Sequence, residues 1–257
     1  MALMASSPAV DLTDRQRADL EALVSDLRTI FGARLHSVVA YGLAGLPGDA
    51  AYVRTLALTE RVTFEDLARA VPLTAAWQRR GLAVPLILSR HEFERTLDVF
   101  PLEYGNLIAS HVVVAGGDPF GGVRVPDADR RRGCEQQAKS HLIHLREGFL
   151  ETQGDPSSVV RLVASSAAAF RTLLFNLTQL GSTQPGSTRL EHDGAVETDA
   201  PALAAEIERI IGVPAALIVE VLSAPSGMST MADPTALLAR YVDASERIWR
   251  YVDGWRA

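Results

Sequence analysis

Four groups of residues in this chain have types and spacings that could do chemistry. Gly42-x-x-Gly45-x-x-Gly48 is a glycine-rich turn, and such turns can cradle phosphate on backbone amides. A Walker loop would continue into Gly-Lys-Ser/Thr, and the only lysine of the chain is Lys139. His141 and His144 stand three apart with Gln137 one turn earlier, a spacing that can ligate a metal. No third ligand accompanies them, so His141, beside an apolar stripe, is expected to hydrogen-bond a neighbouring helix. Cys134 follows Arg130-Arg131-Arg132, cations that favour a thiolate. No histidine or acid completes a nucleophilic site there, which leaves a small core thiol. Glu103 is an acid in an otherwise apolar segment, able to reach a cleft or to pair with Arg34 or Arg54.

The elements that must position these groups are legible from periodicity. Leu20, Leu23, Val24, Leu27 and Phe31 recur at three- and four-residue steps and predict a helix over 13–31. Thr13 with Gln16 forms its capping box. Leu35–Tyr41 reads as a buried strand, 42–49 as a Gly/Pro loop, and Val53–Thr59 as a second strand. Thr63 with Asp66 caps a helix running towards Arg80. Val84–Leu88 is a third strand, followed by a further capping pair at Ser89 and Glu92, and Pro101 interrupts the next segment. The apolar run Leu107–Ala115 ends in turn chemistry at Gly116-Gly117-Asp118-Pro119.

After Pro126 the pattern becomes helical throughout. Helices are predicted over 127–152, from Asp155-Pro156 to Leu180, over 201–211 and 215–222, and from Asp233-Pro234 to the end. The Gly/Ser/Thr-rich stretch 181–199 predicts a mobile loop. Trp249 and Trp255 share a face, which suits core or oligomer packing. The expected fold class is α+β: a mixed β-sheet flanked by helices over 1–125, with 1–12 flexible, then a helical bundle over 126–257.

Composition narrows the function classes. The chain has 257 residues, 47% hydrophobic and 22% charged, with formal net charge −6. An acidic balance argues against broad nucleic-acid binding, which neutralises phosphates with cations. The single cysteine forbids an internal disulfide. No signal peptide and no apolar run of about 18 residues stands out, so the expected location is cytoplasmic, without membrane contact.

One resemblance orders these observations. Phe31-Gly32-Ala33-Arg34-Leu35-His36-Ser37-Val38-Val39-Ala40-Tyr41-Gly42 resembles the opening of a polymerase-β-type nucleotidyltransferase domain. There a strand ends in Gly-Ser and the next carries Asp-x-Asp. Asp98-Val99-Phe100-Pro101-Leu102-Glu103, Gly117-Asp118-Pro119-Phe120 and the helix Arg131–Arg146 are similar to stretches of stand-alone bacterial members. The likeness spans about residues 20–180.

The resemblance implies a two-metal site for Mg2+ with a nucleoside triphosphate, and this chain departs from it at each expected ligand. Leu43 replaces the serine. The Asp-x-Asp positions fall on Tyr52-Val53-Arg54, and the third acid should lie near Val84–Leu88, which has none. The expected function is therefore that of a catalytically degenerate relative with no cofactor. It would bind a nucleotide, another small anion or a protein partner through Gly42, Leu43, Gly45, Tyr52 and Arg54. Two alternatives remain: a scaffold or homo-oligomer with a closed cleft, and an active nucleotidyl- or phosphotransferase using relocated carboxylates at Asp49 and Glu103 with Mg2+ and NTP.

Overall fold

The computed structural model describes residues 12–43, 52–181, 199–224 and 233–255. Gly45 and Asp49, and nearly all of the stretch expected to be a mobile loop, lie outside the described residues. The chain divides into two compact units, the first ending at Val125 and the second beginning at Pro126.

The first unit is a four-stranded mixed sheet with helices. Its elements are α1 (Asp14–Phe31), β1 (Leu35–Tyr41), β2 (Arg54–Thr59), α2 (Phe64–Ala70), α3 (Thr74–Arg79), β3 (Leu86–Ser89), α4 (Arg90–Arg95), α5 (Pro101–Ala109) and β4 (His111–Gly116). The strand order is β3-β2-β1-β4. β1 runs antiparallel to β2 and to β4, while β2 and β3 are parallel. Parallel neighbours need a crossover, which α2 and α3 supply.

Alternation along β1 and β2 divides the apolar side chains between two layers. Val38, Ala40 and Ala57 pack with Leu20, Leu23, Leu27 and Phe31 of α1. Val39, Leu56 and Leu58 face Phe93, Tyr104, Leu107 and Phe120. Each large side chain so buried stabilises the unit by about 2 kcal/mol before chain entropy is counted.

The caps form as their spacing requires. Thr13, Thr63 and Ser89 each accept from the backbone N–H three residues on, and Gln16, Asp66 and Glu92 answer to the N-cap amides. The helix expected to run from Thr63 to Arg80 is broken: Val71–Leu73 forms a 3-10 turn around Pro72, which cannot donate to the helix ladder. Pro101 opens α5 rather than interrupting a segment, as proline does at a first helical position. The apolar run from Leu107 is shared by the end of α5 and by β4. At the end of β4, Gly116 has φ +79, and a Cβ there would collide with the carbonyl oxygen of His36.

The second unit contains α6 (Asp127–Glu151), α7 (Pro156–Gly181), α8 (Ala200–Ile211), α9 (Ala215–Ser223) and α10 (Pro234–Gly254). Among its described residues there is no strand. α6 packs against α7 and α10, and α9 against α7 and α8. α7 has the length and apolar composition of a membrane span. Its Val159, Val163, Phe170, Leu173, Leu174 and Leu177 are buried in the bundle.

Candidate functional site

The strand registers bring three polar side chains into a row at one end of the sheet. Tyr41 lies opposite Arg54 on β2 and opposite His111 on β4. Directly opposed residues of antiparallel strands share a face, so Arg54, Tyr41 and His111 stand side by side. That face is the one whose interior holds Val39, Leu56, Phe93 and Tyr104. β1 ends there at Gly42, whose φ of +64 lies in the left-handed region open to glycine. A Cβ on Gly42 would sit 3.9 Å from Cδ of Arg54, so the turn and the arginine are neighbours.

Each member of the row has identifiable support. Burial raises the pKa of Tyr41, opposed by the Arg54 charge and assisted by Tyr104, so the phenol, the guanidinium and the second phenol act on one another. Tyr104 is buried, accepts from Thr96 Oγ1 at 3.2 Å and meets Phe93 edge-on with centroids 4.9 Å apart. His111 Nδ1 faces the carbonyl of Ile108 at 3.0 Å, and Nε2 lies 3.4 Å from Oδ1 of Asp118. The same Asp118 oxygen accepts the amide of Phe120, whose ring lies edge-on to His111. His111 thus ties the end of α5 to the turn after β4.

The expected binding residues are partly gathered here. Gly42 and Arg54 meet at the row. Leu43 packs on the opposite layer, against the α1 cluster. Tyr52 precedes β2 and is 48% exposed, with Val53 bridging to Leu82 between it and Arg54. Glu103 is exposed on the first turn of α5 and makes no ion pair among the described residues. Its expected partner Arg34 is engaged elsewhere: both of its terminal nitrogens donate to Asp66, at 2.6 and 2.8 Å. This pairing, with the Thr63 bonds, holds the Asp66 carboxyl far below the usual carboxylate range. Tyr41 and His111 were not singled out from the sequence, because only the β4 register places His111 beside Tyr41.

The four strands read LHSVVAY, RTLALT, LILS and HVVVAG, without a single carboxylate. Among the described residues no three of His, Cys, Asp and Glu gather where a metal could be held. A pair of divalent cations needs convergent oxygen ligands, and the row offers a guanidinium and a phenol instead. The residues present on this sheet therefore do not fit the Mg2+ pair that the resemblance implies.

In the second unit the two histidines diverge. His141 is buried, stacks on Phe170 and lies 2.7 Å through Nε2 from the Tyr241 hydroxyl. Burial, with a smaller push from His144, lowers its pKa to about 4, so the ring is neutral at pH 7. His144 is exposed beside Glu147, and Gln137 instead accepts from Asn176. Cys134 is buried, and desolvation pushes its thiol up to about 12, against any nucleophilic role. Arg131 and Arg132 pair with Glu135 and Asp129. Lys139 places its ammonium 3.5 Å from the ring centroid of Trp249, while Trp255 is buried.

Compared with known proteins, the chain matches no protein-family model and no curated protein. The nucleotidyltransferase likeness therefore rests on the residue pattern alone.

Proposed function

We propose that the first unit is a nucleotidyltransferase-like domain that has lost its metal chemistry and binds a phosphate-bearing ligand, such as a nucleotide, at the Arg54 end of the sheet. The observation that carries this reading is the pairing of Arg54 with Tyr41 beside the left-handed turn at Gly42, on a sheet devoid of carboxylates. A guanidinium offers a rigid fork of donors that matches phosphate oxygens. The neighbouring phenol adds a donor, and the half-exposed Tyr52 lies two residues away along the chain. Binding without turnover follows, because nothing on the strands replaces the cations that would stabilise a phosphoryl transition state.

The closed-cleft scaffold requires Tyr52 and Arg54 to fill the cleft, and the 48% exposure of Tyr52 favours an open one. The active-enzyme reading requires Asp49 and Glu103 to converge on metal, and Glu103 sits exposed on α5. Titration with ATP, GTP, CTP and UTP, each with Mg2+ and with EDTA, tests the proposal. Binding that is indifferent to EDTA and weakened at least about tenfold by Arg54→Ala, a loss of about 1.4 kcal/mol, supports it. Binding that demands Mg2+, with turnover, overturns it.

A further inference from the structure

The helical unit carries a groove of about 680 Å³, lined by α6 and by Trp249 of α10, in the size range of small-molecule sites. Arg132, Gln136, Lys139 and Ile143 follow one another along α6 at steps of four, three and four, so they share a face. Ser140 and His144 form the adjacent row. Two contacts hold α10 against α6: Arg131 donates to the Val252 carbonyl at 3.3 Å, and His141 Nε2 lies 2.7 Å from the Tyr241 hydroxyl.

The lining divides into groups already engaged and groups left open. Arg132 pairs with Asp129, Glu135 with Arg131, and His144 lies beside Glu147. Lys139, the only lysine of the chain, rests its ammonium 3.5 Å from the centroid of the Trp249 ring. Among the described residues, the side chains of Gln136, Lys139 and Ser140 make no hydrogen bond or ion pair within the protein. An ammonium on a ring face keeps N–H donors for a further partner. In this groove an amide and a hydroxyl accompany it. Ile143, 41% exposed, and the indole carbons add apolar surface to the same lining.

One open cation among neutral donors matches a monoanion. A doubly charged phosphate would call for further open cations or a bidentate guanidinium. The apolar lining favours a ligand with a hydrocarbon body. We propose that this groove binds a small carboxylate with an apolar chain, its carboxylate on Lys139 and its chain against Ile143 and Trp249. The site lies wholly in the second unit and does not depend on the Arg54 row.

Isothermal titration calorimetry of the full chain with octanoate at neutral pH tests this. One octanoate per chain is expected, with Kd at or below about 1 mM. Acetate lacks the chain and octanamide lacks the charge, and each is expected to bind at least about tenfold more weakly. Lys139→Met keeps the stem and removes the charge, and should weaken octanoate at least about tenfold. Ile143→Asp places a like charge in the groove at an exposed position and should do the same. It keeps the test decisive even where loss of the Lys139–Trp249 contact unfolds the Lys139→Met chain. Arg54→Ala leaves octanoate affinity unchanged, which separates this site from the one in the first unit. No octanoate binding to the unaltered chain overturns the proposal, as does octanamide binding as tightly as octanoate. Unchanged octanoate affinity in Ile143→Asp, or in a folded Lys139→Met, overturns it too and leaves the Lys139–Trp249 contact as a strap between helices.

Discussion

Arg54 is the residue on which the functional account turns. In the proposed reading it stands on β2 where the resembling family would carry a metal-binding acid, and its side chain supplies the opposite charge. If Arg54 meets a phosphate, Arg54→Ala weakens nucleotide binding at least about tenfold while the unfolding midpoint in urea stays close to that of the unaltered chain, because the side chain is only partly buried. A large drop in that midpoint with unchanged affinity would instead make Arg54 a packing residue.

His141 offers a second test at this scale, through pH. Its folded pKa is depressed to about 4, below the ordinary 6.5, by burial against Phe170 and Tyr241. The unfolded chain therefore binds more protons between those two values, and stability falls as pH drops from about 6.5 to 4, by up to about 3 kcal/mol. Equilibrium unfolding across that window measures it. His141→Gln, which removes the titrating ring, should flatten that part of the curve; an unchanged slope would show that other groups set it.

Among the elements, the caps and the strand ends make the sharpest claims. Asp66 both caps α2 and receives Arg34 from the turn before β1, so it joins two elements that are far apart in sequence. Its pKa is depressed by Arg34 first and by Thr63 next, so its contribution is present above the ordinary carboxylate range and is lost as pH falls below it. Asp66→Ala is expected to cost about 2 kcal/mol, read by denaturant unfolding at neutral pH. Gly116→Ala should cost at least as much, about 2 kcal/mol or more, since the new Cβ meets the His36 backbone and the φ of +79 disfavours any side chain. A fully stable Gly116→Ala protein would contradict the β1–β4 register.

Much of this level was legible in the sequence. Capping boxes, the α1 stripe and the Asp-Pro helix starts are local signals, fixed by residues within a turn of one another. The misreadings share a different cause. Pro101 can stop one helix or open another, and Leu107–Ala115 is apolar in either state, so only tertiary packing divides it between α5 and β4. The site was half legible for the same reason. Gly42 and Arg54 follow from two adjacent strands, whereas Tyr41 and His111 become neighbours only when β4 pairs on the far side of β1, some seventy residues along the chain.

For the whole molecule, the division at Val125 carries its own expectation. Among the described residues, the two apolar clusters that enclose the sheet draw every member from the first unit. A fragment covering residues 1–125 should therefore fold by itself and give a cooperative thermal transition followed by circular dichroism. A fragment that is unfolded in water would show that the sheet needs the helical unit. If the fragment folds and the proposed function holds, it retains the Arg54 site.

The central claim is that phosphate is met by an arginine where the resembling fold uses metal. Isothermal titration calorimetry of the full chain with a nucleoside triphosphate, in EDTA and in Mg2+, tests it most directly. The account predicts similar affinity in both buffers and a loss of at least about tenfold in Arg54→Ala. Heat that appears only with Mg2+, or affinity that ignores the Arg54→Ala change, would contradict it.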